Sequence, residues 1–380
     1  MEKIIGIVSE YNPFHAGHAY HIRESGKLAG GDAAVVCVMS GDFVQRGEWA
    51  IQPKALRAEA ACRGGADLVI ELPLPWCLSS AGYFASGAVS VLKAMGITHL
   101  SFGSETGDLA LLQRASARLS ESGAQEEIRG FMRQNPNMSY PSARSAVLGE
   151  CEALLPNDLL AVEYLRQIQG TRIIPIAVRR QGMLHDGRGE ADILSASEIR
   201  SRILKGEISA PHIDTEKMDL ACVSRLRMLA KSDFERLPDC QDGLGQRLYD
   251  AVREESTVES ICLAAKTKRF TLSRVRRALL CAVLGINSGT LRGDPPYARI
   301  LAFSEKGREV LSRRRKEFTL PVLTQPKEIL KLDAAAREIF DLGSRAHDFY
   351  MLCYPERENG RCGEDYRSGP FRKDAQREKL

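Results

Sequence analysis

Through its first half the chain alternates short β-branched apolar runs with longer stretches whose apolar positions recur every three or four residues. The runs predict strands at Lys3–Ser9, Ala33–Met39, Asp67–Leu72, Thr98–Phe102 and Arg172–Val178. The helical spacing between them predicts helices over Gly17–Leu28, Pro53–Gly64, Ala81–Met95 and Asp108–Ser120, with glycine pairs such as Gly30-Gly31 and Gly64-Gly65 ending them. Gln125–Gln169 reads as further helices inserted before the fifth strand. Alternation of this kind is the pattern of βαβ units, so the expected class is α/β, a parallel sheet with helices on its faces.

From about Met218 the texture changes. Leu, Ala and Arg at helical spacing run to Cys353, which predicts an all-α C-terminal domain over residues 218–354. Leu184–Glu198, with Gly187, Gly189 and several acids, reads as the connection closing a catalytic domain at 1–210, and it ends in a helix starting near Ser197. Beyond Tyr354 the chain is mostly Arg, Lys, Glu, Asp and Gly, so a disordered tail is expected over 355–380.

Composition narrows the class. The 380 residues are 44% hydrophobic and 27% charged, the balance of a folded enzyme and not of a disordered chain. The longest clean apolar run, Ala278–Ile286, is far short of the roughly 20 residues that cross a bilayer, so no membrane association is expected. MEKIIGIVSEY lacks a basic leader and reads as a first strand. The ten cysteines form no metal-ligand or disulfide spacing, which fits a reducing cytoplasm and no resident metal site. Net charge is only +4, but residues 1–110 carry 8 Lys/Arg against 11 Asp/Glu, whereas residues 260–320 carry 14 against 4. The second figure is a candidate polyanion footprint.

The segment Ile4 to His18, IIGIVSEYNPFHAGH, carries the most chemistry. A buried strand runs into a Pro-containing turn, and HAGH then opens a helix, placing His15, Gly17 and His18 where a parallel sheet binds ligands. Orphan N–H groups at a helix start favour phosphate, glycine allows close approach, and the imidazoles donate to phosphate oxygens as charge develops. Histidine suits the task because its proton is exchangeable near neutrality.

HAGH after a first strand resembles the HxGH nucleotidyltransferase superfamily, whose members bind ATP on a Rossmann-like sheet and release pyrophosphate. Leu194-Ser195-Ala196-Ser197-Glu198-Ile199-Arg200 is similar to that superfamily's ISSTxIR motif, with Ser195, Ser197 and Arg200 carrying the polar contacts and Arg200 reaching the β- and γ-phosphates. VSEYNPFHAGH, MSGDFVQRGEWAIQPK, GADLVIELP, FGSE and LLPNDLLAVEYL together resemble the tRNA(Met) cytidine acetate ligase family across most of residues 1–210. That resemblance implies ATP-dependent activation of acetate as acetyl-adenylate, then acetylation of the wobble cytidine of elongator tRNA(Met) at N4. It also implies that Ile7, Val8, Ser9, Glu10, Tyr11, Asn12, Pro13, Phe14, His15, Ala16, Gly17, His18, Ala19 and Tyr20 line ATP, with Gly103 and Asn157 against the nucleotide and Arg179 and Arg180 beside it.

The long loop Ser40–Glu48 follows the second strand on the ligand edge and is expected to face acetate or the acceptor. Arg46 or Lys54 is expected to neutralise acetate and the departing pyrophosphate, and Asp42 to hold magnesium brought by ATP or to orient the amine. Lys266, Lys268, Arg269, Arg274, Arg276 and Arg277, then Arg313, Arg314, Arg315 and Lys316, are expected to contact RNA phosphates, with Val275, Leu279 and Leu280 turned to the core. Two other readings remain open at this point. One is a small-molecule adenylyltransferase of coenzyme-precursor type, which has no use for the basic segment. The other is a non-catalytic RNA-binding protein on a nucleotide-sensing fold.

Overall fold

The structure is a computed structural model describing residues 3–149, 154–180, 194–290, 293–355 and 361–373. Its strands are β1 (Ile4–Ser9), β2 (Ala34–Ser40), β3 (Phe43–Val44), β4 (Glu48–Trp49), β5 (Leu68–Leu72), β6 (His99–Ser104), β7 (Ile174–Arg179), β8 (Ala298–Phe303), β9 (Val322–Leu323) and β10 (Phe371–Arg372). The first-half helices are α1 (Ala16–Leu28), α2 (Lys54–Arg63), α3 (Leu74–Cys77), α4 (Ala81–Ala94), α5 (Leu109–Ser120), α6 (Ala124–Gln134), α7 (Tyr140–Leu148) and α8 (Pro156–Ile168). The second half adds α9 (Ala196–Leu204), α10 (Thr215–Arg227), α11 (Lys231–Glu235), α12 (Leu244–Glu254), α13 (Val258–Ala265), α14 (Leu272–Leu284), α15 (Glu305–Arg313) and α16 (Ala334–Met351). Among the described residues no helix is long and apolar enough to cross a membrane.

The main sheet runs β10-β8-β5-β2-β1-β6-β7, and β9 pairs with β8. β5, β2, β1, β6 and β7 are mutually parallel. Strand order therefore reverses about β1, whose neighbours are β2 on one side and β6 on the other, and this switch point opens a crevice at the carboxyl ends. The five predicted strands and four predicted helices of the first half fall within two residues of the observed ends. Their legibility has a cause: β2 and β5 are buried along their whole length, so they read as continuous apolar runs. Gly6 packs closely against the sheet's covering side chains, where a Cβ would meet Ile97 Cδ1 at 2.9 Å and displace it.

The second half departs from expectation. Helices alone fill Thr215–Leu284, but Ala298–Phe303 is a strand that pairs antiparallel with β5 inside the same sheet. A six-residue segment that is apolar but for Arg299 and buried on both faces has no period that separates strand from helix, although Pro295-Pro296 just before it marks the break. The tail is also corrected: Asp365 is buried, Glu364–Tyr366 forms a 3-10 turn, and β10 extends the sheet beyond β8. The rest of the expected tail, 356–360 and 374–380, and the expected connection from Leu184 to residue 193 lie outside the described residues.

Candidate active site

At the end of β1 the chain turns through Tyr11, Asn12 and Pro13 and enters α1 with His15 as its N-cap. The Gly17 N–H donates to His15 Nδ1 at 3.0 Å, and the His15 N–H donates to His18 Nδ1 at 3.3 Å. These bonds decide the tautomers. Both Nδ1 atoms accept, so each neutral ring carries its proton on Nε2. The two rings lie 3.8 Å apart between centroids, and Tyr11 and Phe14 enclose His18 at 4.9 and 5.7 Å. Burial, together with the Arg180 guanidinium, pushes His15 down to about 4. Burial and the neighbouring His15, His21 and Arg180 hold His18 well below the ordinary histidine value. His21, also lowered to about 4 by burial and Arg180, is tied at Nε2 to Ser101 Oγ at 3.0 Å. At neutral pH the site is thus a set of uncharged N–H donors beside one exposed arginine.

The second motif docks on the first. Ser195 caps α9 by accepting from the Glu198 N–H at 3.2 Å, and Arg200 one turn later donates from Nη1 to the Asn12 carbonyl at 2.8 Å. Its Nη2 donates to Ser197 Oγ at 3.3 Å. Two segments 188 positions apart are joined by this bond, and Arg200 is brought to the edge that holds the histidines. Asn12 is held in turn, its Oδ1 accepting from the Ile51 N–H at 2.8 Å.

Across the switch point, FGSE and PND lock together. Glu105 accepts from Asn157 Nδ2 at 2.5 Å and from the Asp158 N–H at 2.9 Å, while buried Asp158 accepts from Ser104 Oγ at 2.5 Å and the Glu105 N–H at 3.1 Å. Each carboxylate covers the orphan N–H groups of the other's segment. Asn157 is therefore placed by Glu105, and the N-cap of α8 is Leu155. Gly103 lies inside β6, opposite Val178, and a Cβ there would meet Arg180 Cγ at 3.6 Å. Arg179 packs on Gly107 while Arg180 reaches the histidines.

Several expected ligands face elsewhere. Ile7 and Tyr11 are core side chains, and the Tyr11 hydroxyl contacts Cys37 Sγ at 3.2 Å, so only their backbone is available to a nucleotide. Lys54 is not a free cation: buried Nζ meets Glu71 at 2.8 Å and Asp365 at 2.6 Å. Asp42 is not a free carboxylate either, since it accepts from the Lys54 N–H at 2.8 Å and pairs with His347 Nδ1 at 2.7 Å. A lysine already facing two carboxylates has no charge to spare for pyrophosphate, and an aspartate saturated by protein donors does not suit magnesium. Among the described residues no group of three His, Cys, Asp or Glu is arranged for a metal. Arg46 remains exposed on the β3–β4 loop, close enough to favour the charged form of Glu10.

Arg57 is the residue the sequence does not advertise. Fully buried, it donates from Nη1 to the carbonyls of Glu10 at 2.6 Å and Ser40 at 3.2 Å, from Nε to Gln52 at 2.9 Å, and from Nη2 to Gly41. One guanidinium thereby ties together the loops after β1 and β2, the two that border the site. Its only sequence signal is an arginine where α2 should present an apolar face.

The basic residues divide. Val275, Leu279 and Leu280 are buried as expected, but Lys266, Lys268 and Arg269 precede α14 and are not carried on it. Arg269 pairs with Asp242 at 2.8 Å, Arg274 donates to the Asp239 carbonyl at 2.6 Å, Arg276 pairs with Glu48 and Glu259, and Arg277 donates to the Gln45 carbonyl at 3.2 Å. Arg313 pairs with Glu309, and Arg314 with Glu317 and the Gly96 carbonyl, which places that run at the opposite edge of the sheet, before β6 begins. Among the described residues Lys266, Lys268 and Arg315 are exposed and have no carboxylate partner.

The HIGH Nucleotidyl Transferase family model matches residues 2–365. The tRNA(Met) cytidine acetate ligase of Acetivibrio thermocellus is 34% identical over 96% of this chain and 98% of its own, and that of Syntrophotalea carbinolica is 36% identical over 86% of each. The crystal structure of apo Thermotoga maritima TmcAL superposes with a TM-score of 0.88 at 32% identity, over 98% of this chain and 100% of that one. Its complex with alpha-thio ATP gives 0.87 at 30% identity, with the same coverage. With a reversing parallel sheet, HAGH at its switch point and likeness along nearly the whole length, the chain belongs to the tRNA(Met) cytidine acetate ligase family of HIGH nucleotidyl transferases.

Proposed function

We propose that the protein is an ATP-dependent ligase that activates acetate as acetyl-adenylate and then acetylates N4 of the wobble cytidine of elongator tRNA(Met), acting in the cytoplasm. The observation that carries this reading is the paired tautomer of His15 and His18, which leaves two Nε2–H donors at the amino end of α1. The alpha-thio ATP complex of the Thermotoga relative supports ATP as the nucleotide.

In the first step a carboxylate oxygen of acetate attacks the α-phosphorus, the bond to the bridging α–β oxygen breaks, and pyrophosphate leaves. Charge grows on the equatorial and leaving oxygens, where His15, His18, Arg180 and Arg200 supply hydrogen bonds and positive potential. The histidines enter neutral and need lose no proton. Magnesium, entering with ATP as part of the substrate, would shield the charge of its phosphates. Arg46 is the exposed cation facing acetate. In the second step the N4 amine attacks the acetyl carbon, the bond to AMP breaks, and N4 gives up one proton. Lys266, Lys268 and Arg315 hold RNA phosphates.

The test is incubation with ATP, magnesium and labelled acetate, with and without bacterial tRNA. Label recovered from digested tRNA as N4-acetylcytidine is the expected result. AMP transfer to a small metabolite, with unlabelled RNA, would overturn it.

A further inference from the structure

The β3–β4 hairpin stands between arginines from distant parts of the chain. On the nucleotide side the Gln45 N–H donates to Glu10 Oε1 at 2.8 Å, and on the other side the Gln45 carbonyl accepts from Arg277 Nη1 at 3.2 Å. Gly47, at φ +77, is pressed so closely on α14 that a Cβ would lie 2.5 Å from the Arg277 nitrogen. The tip of the hairpin is thus seated on the helix.

Glu48 is the charged link, and its two contacts are unequal. Oε1 takes a hydrogen-bonded pair with Arg276 Nη1 at 2.9 Å, whereas Oε2 faces Arg200 Nη2 at 3.6 Å, beyond hydrogen-bond reach. Arg276 is further oriented by Glu259, 2.7 Å from Nη2. Arg200 keeps its short bond for the Asn12 carbonyl and holds Glu48 only by charge. The contact is partly open to solvent, with Arg200 and Glu48 side chains 21% and 31% exposed. A carboxylate held tightly on one side and loosely on the other is suited to exchange on the loose side.

We infer that Glu48 is the exchangeable counter-charge of Arg200: it stands where the nucleotide-free protein needs an anion, yields Arg200 to the polyphosphate of ATP, and is retained by Arg276. The inference rests on the reading of Arg200 as a phosphate ligand. Glu48 acts through Arg200 and is a positioning residue. Removing its charge removes a competitor of ATP, whereas removing Arg276 leaves Glu48 to Arg200 alone and strengthens the competition. The two substitutions therefore act in opposite directions, which mere loss of packing does not do.

The test is calorimetric titration of the full-length protein with magnesium-ATP in the absence of acetate, with thermal unfolding as the folding control. Glu48→Gln is expected to lower the Kd for ATP about two- to fivefold, the scale of a partly exposed ion pair. Arg276→Gln is expected to raise it by a similar factor, and the double variant to follow Glu48→Gln, because Arg276 matters only through the carboxylate it holds. An unchanged or weaker affinity in Glu48→Gln overturns the inference. Arg200→Gln separates the two levels: if it weakens ATP binding at least about tenfold while Glu48→Gln has no effect, only the exchange is wrong. If Arg200→Gln leaves the Kd unchanged, the phosphate reading of Arg200 falls, and the exchange with it.

Discussion

The protein keeps histidines in two opposite states about one sheet edge. His15, His18 and His21 are half-buried with an arginine nearby and, among the described residues, no carboxylate partner, so they are uncharged, and the Nε2–H groups of His15 and His18 are unspent. His347 is more deeply buried, and that opposes its charge, yet Asp42 at 2.7 Å outweighs the burial and pushes it up to about 10. Around it Lys54, Arg299, Glu71 and Asp365 pair among themselves at 2.6 to 2.9 Å, with Arg299 reaching both carboxylates. Titratable groups without partners are available to a ligand, and groups that satisfy one another are structural, whatever their position along the edge. The same distinction separates Lys266 and Lys268 from Arg276 and Arg277.

The largest effect should come from breaking the paired side. Asp365→Ala leaves Lys54 and Arg299 buried against Glu71 alone, and denaturant unfolding should show a loss of about 3–5 kcal/mol. A loss under about 1 kcal/mol would mean that the tail is not clasped there. On the unpaired side, His18→Ala should slow acetyl-adenylate formation about 10²- to 10³-fold while leaving the unfolding midpoint nearly unchanged. Activity within a few-fold of the parent would remove His18 from the mechanism.

A smaller effect separates free from committed cations. Lys266→Glu with Lys268→Glu should weaken tRNA binding by about tenfold and flatten its salt dependence, with acetate activation spared. Equal damage to both steps would point to misfolding. The least direct test is stability against pH, whose sign differs between the two histidine groups. The depressed histidines stay neutral in the fold while the unfolded chain takes up protons, so their contribution is lost as pH falls from about 6.5 through about 4. The contribution of His347 is full below about 6.5 and is lost as pH rises through about 10. In His347→Gln the alkaline decline should shrink and the acid decline persist, as read from unfolding midpoints between pH 4 and 10.

Local pattern was enough for the parallel half because β2 and β5 are buried throughout and β1 and β6 largely so, while α1 and α5 start at side-chain caps and α2 stops at Gly64. HAGH could be read for a related reason: its geometry depends on neighbours within four residues, the His15 and His18 nitrogens being held by backbone of the same turn. Arg200 was recognisable from its motif, although its bond to Asn12 was not. Lys54 and Asp42 misled because a charged residue at a ligand edge looks the same whether or not distant carboxylates await it. Asp365 and Glu71 are 311 and 17 positions from Lys54, and nothing in the string of residues marks them as its partners.

By itself the sequence determined the α/β class, the βαβ half with its strand limits, the position of the HAGH histidines and the family. Tertiary structure alone decided that β8 joins the sheet antiparallel, that the tail returns to bury Asp365, that Arg57 ties the two site loops, and which basic residues remain free. The physical reason is range. Backbone propensity, capping and periodicity act over a few residues, whereas the charge state and availability of a side chain depend on whatever the fold packs within a few ångströms of it.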